Sequence, residues 1–451
     1  MPLEKNQLIN ANFTDYTGGI NVSVAPQLLA ENEYQQIQNF EYDYSRLRTR
    51  AGISPALSDY PSEITAVYWD KATNTYLVCL ADSSVYEEDL SGLHNLVGTL
   101  TGEKGVSFCK FDNNVFIASG GKLQYYDGAE HAIKTIESSY LSNIVFERFG
   151  RLVTTVYGDD NLYYSAVGDP YETGWEDDTN RDDSSKMLEV GYKDDGDIIK
   201  VLPMSGDILV FKSNGNVYSV SGEYPNWSVQ LVAAGLDYIS DSVVAPVNTQ
   251  ICYITNKGLN TLQAAQTYGN FTTNLAVGNK FNGLIVKKLN SPAMYNIARK
   301  HQLLIQPDAN DKGYIICFQY DIGAAITFRF PIAVTTAVDT DNGVVFAAGN
   351  SLYRWDKQYT NDLGYMSIEQ EIVTRKFESS RRLYTRQVDV GIEGTPAGLV
   401  EFYWADKRLE YFIKEHRRLL NVFSVCRDGV FRIKTKENIW IDYIKFYLFE
   451  K

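Results

Sequence analysis

At 451 residues the chain has room for two or three domains, and an apolar fraction of 44% excludes disorder as a description of the whole. A net charge of −14 excludes a protein built to grip the outside of a duplex, where binding rests on lysine and arginine at phosphates. Aromatics make up 13%, with 32 tyrosines against 5 methionines, and such residues favour pleated, half-buried surfaces, so the composition leans to β-structure.

The first ten residues, MPLEKNQLIN, lack the basic segment and apolar run of a secretory signal. No apolar stretch approaches the ~20 residues needed to span a bilayer, so no membrane insertion is expected. Residues 17–52, TGGINVSVAPQLLAENEYQQIQNFEYDYSRLRTRAG, are too polar for a core and too patterned for a disordered tail. They read as an extended N-terminal arm. Its segment 30–40, AENEYQQIQNF, is the one helix candidate in the chain. Arg46, Arg48 and Arg50 alternate, which puts them on one face of a strand. The arm has few positions able to form a core, so residues 1–52 are expected to contact another subunit and to be dispensable for folding of the domain after them.

From about residue 64 one unit recurs. An apolar run of about four residues meets a short turn carrying Gly, Asn or Asp, and a second run with a central aromatic comes next. The clearest copies are 75–89, 114–128, 151–169, 207–223, 250–265 and 343–357, with a looser one at 298–321. Each reads as a β-hairpin, because the alternation has period two and those turn residues tolerate positive φ. A short strand precedes many copies and a weaker run succeeds them, which makes four strands per unit. Four-strand units every ~40–50 residues are the period of propeller blades.

The widest gap holds an insertion rich in Asp and Glu, residues 168–197. Clustered carboxylates suit a hard cation, but the Asp-x-Asp-x-Asp-Gly loop with its closing Glu is absent, and a solvated rim loop is the expectation. Near residues 358–370 the blade pattern stops, and seven short alternating strands occupy the last eighty or so residues, the signature of a small sandwich or barrel. The expected fold is therefore all-β: an arm (1–60), a six- or seven-bladed β-propeller (61–360) and a C-terminal β-sandwich-like domain (361–451). Formal charge is uneven along the chain, with about +4 on 371–451 against about −18 on the rest, so a basic module accompanies an acidic body.

The search for chemistry is mostly empty. There is no Walker loop, no His-Glu-x-x-His and no Gly-x-Ser-x-Gly. His94, His131, His301 and His416 are isolated, and the five cysteines lack metal spacing and read as small buried hydrophobes. The Ser-x-Asp-x-Gly-x-x-Trp box of sialidase-type propellers is missing. Trp69 and Trp355 head two Trp-Asp pairs without the Gly-His partner and read as blade core. No catalytic residue, cofactor site or metal site is assigned, and no enzymatic activity is expected.

The order of Gly18, Gly19, Asn21, Pro26, Leu28, Gln38, Asn39, Arg48, Arg50 and Gly52 resembles the N-terminal signature of bacteriophage tail tubular and nozzle propeller proteins of short-tailed phages. That signature runs from a paired-Gly turn through a Gln-Asn segment to an arginine-rich strand closed by Gly; Ala51 stands where the family usually has Pro. The segment 161–175 is similar to a blade edge of the same proteins, and 206–222 to their most regular blade. The resemblance implies a structural virion protein without enzymatic activity, assembled in the host cytoplasm into a ring, typically a homo-hexamer, below the portal and its adaptor. It implies contact with that connector ring and with tail fibres or tailspikes, and transient passage of viral DNA. On this reading Gly18, Gly19, Asn21, Pro26, Asn39, Arg46, Arg48 and Arg50 are candidates for the subunit interface. The alternatives are a carbohydrate-binding or carbohydrate-active propeller on a virion or cell surface, and a generic protein-binding scaffold. An acidic body suits a channel that must not hold a polyanion, so the propeller is expected to border the DNA path while the basic C-terminal domain makes protein contacts.

Overall fold

The computed structural model describes residues 7–44, 46–57, 59–89, 94–176, 178, 181–204, 206–238, 240–264, 271–274, 277–311, 313–394, 398–405, 407–413 and 417–450. Two compact units emerge: Pro55–Leu275 with Val334–Arg354, and Met1–Ser54 with Ala276–Ala333 and Trp355–Lys451.

The first unit is a six-bladed β-propeller, built from six separate four-stranded sheets. Blade one runs from Ile64–Asp70 through Thr75–Leu80 and Ser84–Glu88 to His94–Thr99. Blade two spans Ser107–Phe111 to Ala132–Thr135, and blade three Ser142–Arg148 to Lys186–Glu189. Blade four spans Ile198–Met204 to Ser228–Ala233, and blade five Val244–Val247 to Phe271–Asn274. Blade six takes Thr336–Thr340, Gly343–Ala348 and Ser351–Asp356 from late in the chain and its outer strand, Gly52–Leu57, from early in it. The ring is thus closed by two distant stretches of one chain.

Radial packing explains why the hairpin strands are apolar on both faces. Each sheet buries one face on the blade before it and the other on the blade after. Leu77, Cys79 and Val85 of blade one pack with Val115 and Ile117 of blade two. Val78 and Leu80 turn the other way, onto Val345 and Ala347 of blade six. The turns use positive φ as the sequence suggests. At Gly215, φ is +83° and a Cβ would stand 2.4 Å from the Leu236 carbonyl oxygen, so only glycine fits.

The acidic insertion is corrected by the structure: it supplies blade three with its outer strand, Lys186–Glu189, paired with Asn161–Tyr164. Two cations knit it down. Arg151 donates from Nη1 to the carbonyls of Ser165 and Ser184 at 2.7 and 2.6 Å, and from Nη2 to that of Asp182 at 2.7 Å. The fully buried Lys212 donates to the Val190 carbonyl at 2.6 Å and forms an ion pair with Asp194. Among the described residues no group of three or more His, Cys, Asp or Glu is placed to hold a metal ion.

The looser repeat at 298–321 is not a blade. With Ala293–Ile297 and Ala324–Arg329 it forms a meander in the second unit. The outer strand of that meander meets Gln36–Gln38, which pairs in turn with Glu371–Val373 of the strand Gln370–Gly394. A thirteen-stranded sheet results, fed by three separate stretches of chain. The expected division at residues 60 and 360 is therefore wrong for the second unit, which takes in both ends of the chain and 276–333.

Three further expectations are corrected here. The seven short C-terminal strands are five, of which Gln370–Gly394 has 25 residues and Arg417–Thr435 has 19. The polar breaks that look like turns, as at Glu378–Leu383 and Thr385–Gln387, are bulges within continuous strands. The arm, too, has a core. Phe13, Tyr34, Ile37, Phe40 and Leu47 are each at most 1% exposed. Residues 30–40 form short strands instead of a helix, because Tyr34, Ile37 and Phe40 are drawn into the sheet.

Candidate functional site

The eight candidate interface residues separate by burial. Arg46–Thr49 is a strand whose Leu47 and Thr49 face inward while Arg46 and Arg48 face the other way. It pairs with Phe40–Asp43 on one side and with Ile441 and Trp440 on the other.

Arg50 comes directly after that strand and is 1% exposed. A guanidinium cannot shed its charge, so burial demands a complete set of acceptors. Asp362 supplies a fork, accepting from Nη1 at 2.9 Å and from Nη2 at 2.6 Å. Nη1 also donates to the Ala51 carbonyl at 2.8 Å, Nη2 to the Arg329 carbonyl at 2.9 Å and Nε to Asn39 Oδ1 at 3.0 Å. The Phe330 ring lies 4.2 Å from the guanidinium carbon. Asn39 adopts the left-handed conformation, which asparagine tolerates, and also bonds the Arg329 amide and the Glu369 carbonyl. One cation thereby joins 39–51, 329–330 and 362.

A second buried charge lies close by in sequence. Glu41 accepts from Arg48 at 2.8 Å and from Lys300 at 3.1 Å. Burial disfavours its charge, but the Lys300 and Arg48 cations outweigh burial and hold the carboxyl below its ordinary range. The Lys300 ammonium also stands 3.3 Å from the centre of the Trp355 ring. Trp355 donates to the Ala51 carbonyl at 3.1 Å and packs on Phe328 and Phe330, so it serves the second unit and not a blade core.

The paired glycines make a close turn. A Cβ on Gly18 would stand 2.2 Å from the Asn32 carbonyl oxygen, and Gly19 has φ +65°. Asn21 donates to Glu33 at 2.9 Å and accepts from the Ser23 amide, closing the turn. Gly18, Gly19, Asn21, Asn39 and Arg50 are thus buried within their own unit and cannot present a surface to a neighbour, which corrects their assignment. Arg48 is half-buried and paired with Glu41, while Arg46 reaches Asp43, Glu393 and Asp442. Of the eight, Pro26 alone is exposed, beside the 70% exposed Leu28.

Gly52 closes the signature, and a Cβ there would stand 2.1 Å from the Asn361 carbonyl oxygen. Gly52→Ala is expected to lower stability by about 1–3 kcal/mol through overpacking, read as a lower denaturant midpoint of the full chain; an unchanged midpoint would show that the backbone yields at no cost.

Along the propeller axis, first strands meet between blades one and six, two and three, and four and five. Those strands carry Asp70, Glu147 and Asp339 against Lys110, Arg148 and Lys200, so their charges cancel. A cavity of about 760 Å³ lies there, lined by Phe108, Ile144, Phe146 and Lys200 among others. The propeller unit has a formal charge of about −18 and the second unit about +4, which together give the chain's −14. The acidic excess therefore lies off the axis. Sequence reasoning missed Lys212 and Asp362. The lysine sits in the apolar strand DILVFK, at a position that faces inward, and this was the available signal. Nothing marks Asp362 within TNDLG.

Fold and site together define an all-β protein: a six-bladed propeller in a chain whose two ends build a second β-unit. No protein-family model and no curated protein sequence matches the chain. Among solved structures it is similar to the extracellular domain of a hybrid two component system from B. thetaiotaomicron, with TM-score 0.50 and 8% identity, covering 87% of this chain and 59% of that one. It is also similar to the β-propeller domain of Myceliophteria thermophila Cps50 (Swd1), with TM-score 0.47 and 7% identity, covering 67% of this chain and 99% of that one. At these identities the likeness concerns the propeller fold alone.

Proposed function

We propose that this chain is a structural subunit of a short-tailed bacteriophage tail, forming a ring, a homo-hexamer, in the nozzle or head-to-tail connector through which DNA is retained and ejected. The observation that carries the reading is the place of the signature residues. Of the positions that resemble nozzle proteins, Gly19, Asn39, Arg50 and Gly52 pack on or bond distant stretches at 324–329, 361–362 and 369, while Gly18 and Asn21 close the local turn at 32–33. A resemblance carried by residues of that kind speaks for a shared build, not for a shared surface motif.

The charge distribution supports the same reading. A ring that turns the outer surface of its acidic propellers to the lumen repels phosphates over roughly a Debye length, ~8 Å at physiological salt, and leaves DNA free to move. The basic second unit then meets the adaptor and tail fibres or tailspikes. Phage particles assembled without this chain are expected to package DNA and then lose it, with retention restored by supplying the chain in trans. Particles that keep and eject DNA normally without it would contradict the proposal.

A further inference from the structure

An exposed apolar cluster of the second unit lies on its long strands. Leu419, Phe423 and Val425 are 49%, 67% and 54% exposed within seven residues of one strand. In register, Val425 lies beside Tyr384, and Tyr384 beside Phe449, so the three form a row across neighbouring strands on one face. Phe423 stands next to this row at a bulge, with φ +44°. That conformation costs an L-residue roughly 1–2 kcal/mol, and glycine would adopt it freely. The chain instead spends stability to hold a phenylalanine outward. A groove of about 510 Å³ runs between Tyr384, Phe423, Val425 and Phe449.

The surrounding charges say what covers this face. Arg382, Arg386 and Arg427 are exposed on the same strands with no ion-pair partner among the described residues, while Arg418 stands over the Tyr411 ring at 5.4 Å. An apolar row with free arginines calls for an apolar surface with free carboxylates. The same chain carries one, on the outermost strand of blade three and the turn after it. Met187 and Tyr192 are 60% and 73% exposed there. Glu189, Asp195 and Asp197 stand exposed around them with no cation partner among the described residues, while Lys193 is folded over the Tyr192 ring at 4.9 Å.

We infer that the Tyr384–Phe423–Val425–Phe449 face docks onto a second copy of this chain, at the Met187–Tyr192 edge of that copy's third blade. The inference rests on the ring reading above and names the surfaces that would build the ring. Two different surfaces meet, so the contact is head-to-tail and closes into a ring where the rotation allows. The apolar row supplies the buried centre, and the arginine–carboxylate rim selects the partner and makes association salt-dependent.

The test is sedimentation of the full chain across concentration and salt. The wild type is expected to self-associate, less at high salt. Phe423→Ser/Val425→Ser is expected to weaken association at least about tenfold while circular dichroism melting stays that of the wild type. Arg386→Glu/Arg427→Glu is expected to weaken it likewise, and mixing this variant with Glu189→Arg/Asp195→Arg to restore it, since the swapped charges again face their opposites. A Phe423/Val425 variant that associates as tightly as the wild type overturns the inference and leaves the ring reading standing. So does a wild type that stays monomeric throughout. Loss of duplex DNA binding in the arginine variant, with self-association intact, would make DNA the occupant and overturn it too. Docking as described, together with particles that behave normally without the chain, would instead sink the phage reading alone.

Discussion

Replacing Asp362 by alanine is expected to cost the second unit about 3–5 kcal/mol, the usual consequence of stranding one partner of a buried ion pair. The Arg50 side chain has no exposure, and its pair with Asp362 has none of the solvent screening that makes surface bridges weak. Removing the carboxylate also removes the acceptor of the Ile53 amide, 3.2 Å from Asp362 Oδ1. Hydrogen exchange on the full chain reads where the damage falls. Amides of 36–49 and 370–394 should lose protection, while those of blades two to five keep theirs. A double variant, Arg50→Met/Asp362→Leu, should lose less than Asp362→Ala, because it leaves no charge behind. Equal protection in Asp362→Ala and wild type would show that the pair contributes nothing net.

The second large effect is expected in the propeller, at Lys212. Its ammonium is wholly buried, and it is held by Asp194, by Asp160 at 3.7 Å and by the Val190 carbonyl. Asp194→Ala should cost up to about 3–5 kcal/mol, and Lys212→Met much less, since the first leaves the buried ammonium to Asp160 and the Val190 carbonyl while the second removes the charge. The pH dependence comes from the carboxyl. Burial raises the Asp194 pKa, but hydrogen bonds from Asn216, Lys212, Tyr218 and Asn214 outweigh it and hold the group well below the ordinary 3.8. A depressed native pKa means that the unfolded chain binds the proton first on acidification. The stabilisation is then complete above about pH 4 and is lost as pH falls further. Unfolding of the wild type between pH 6 and pH 2 should show this added acid sensitivity, and Asp194→Ala should lack it. Because Arg50 and Lys212 belong to different units, their effects should add.

The propeller was legible in the sequence because each blade is local. A hairpin of period two with Gly or Asn at its turn is written within fifteen residues, as in DILVFKSNGNVYSVS, and the inter-blade faces show as strands apolar on both sides. What was not legible depends on partners far along the chain. Ile37 looks helical among its glutamines until Ile372 pairs with it from the other end of the chain. The meander at 293–329 has the local pattern of a blade, and its ties to Gln38, Asn39, Glu41 and Arg50 place it elsewhere. The arginine alternation was visible, but the sequence cannot distinguish an arginine awaiting a neighbour from one satisfied by Asp362, 312 residues away. His416 and part of the basic cluster 414–418 lie outside the described residues.

Whether this chain builds a ring in the tail of a short-tailed phage is tested most directly by electron cryomicroscopy of the parent particle, with sixfold symmetry left unimposed. Six copies of the propeller and its second unit are expected side by side around the DNA channel below the connector, with the long strands of each copy against blade three of the next. A tail whose nozzle density is filled by another protein, with this chain absent or scattered elsewhere on the particle, would contradict the proposed ring.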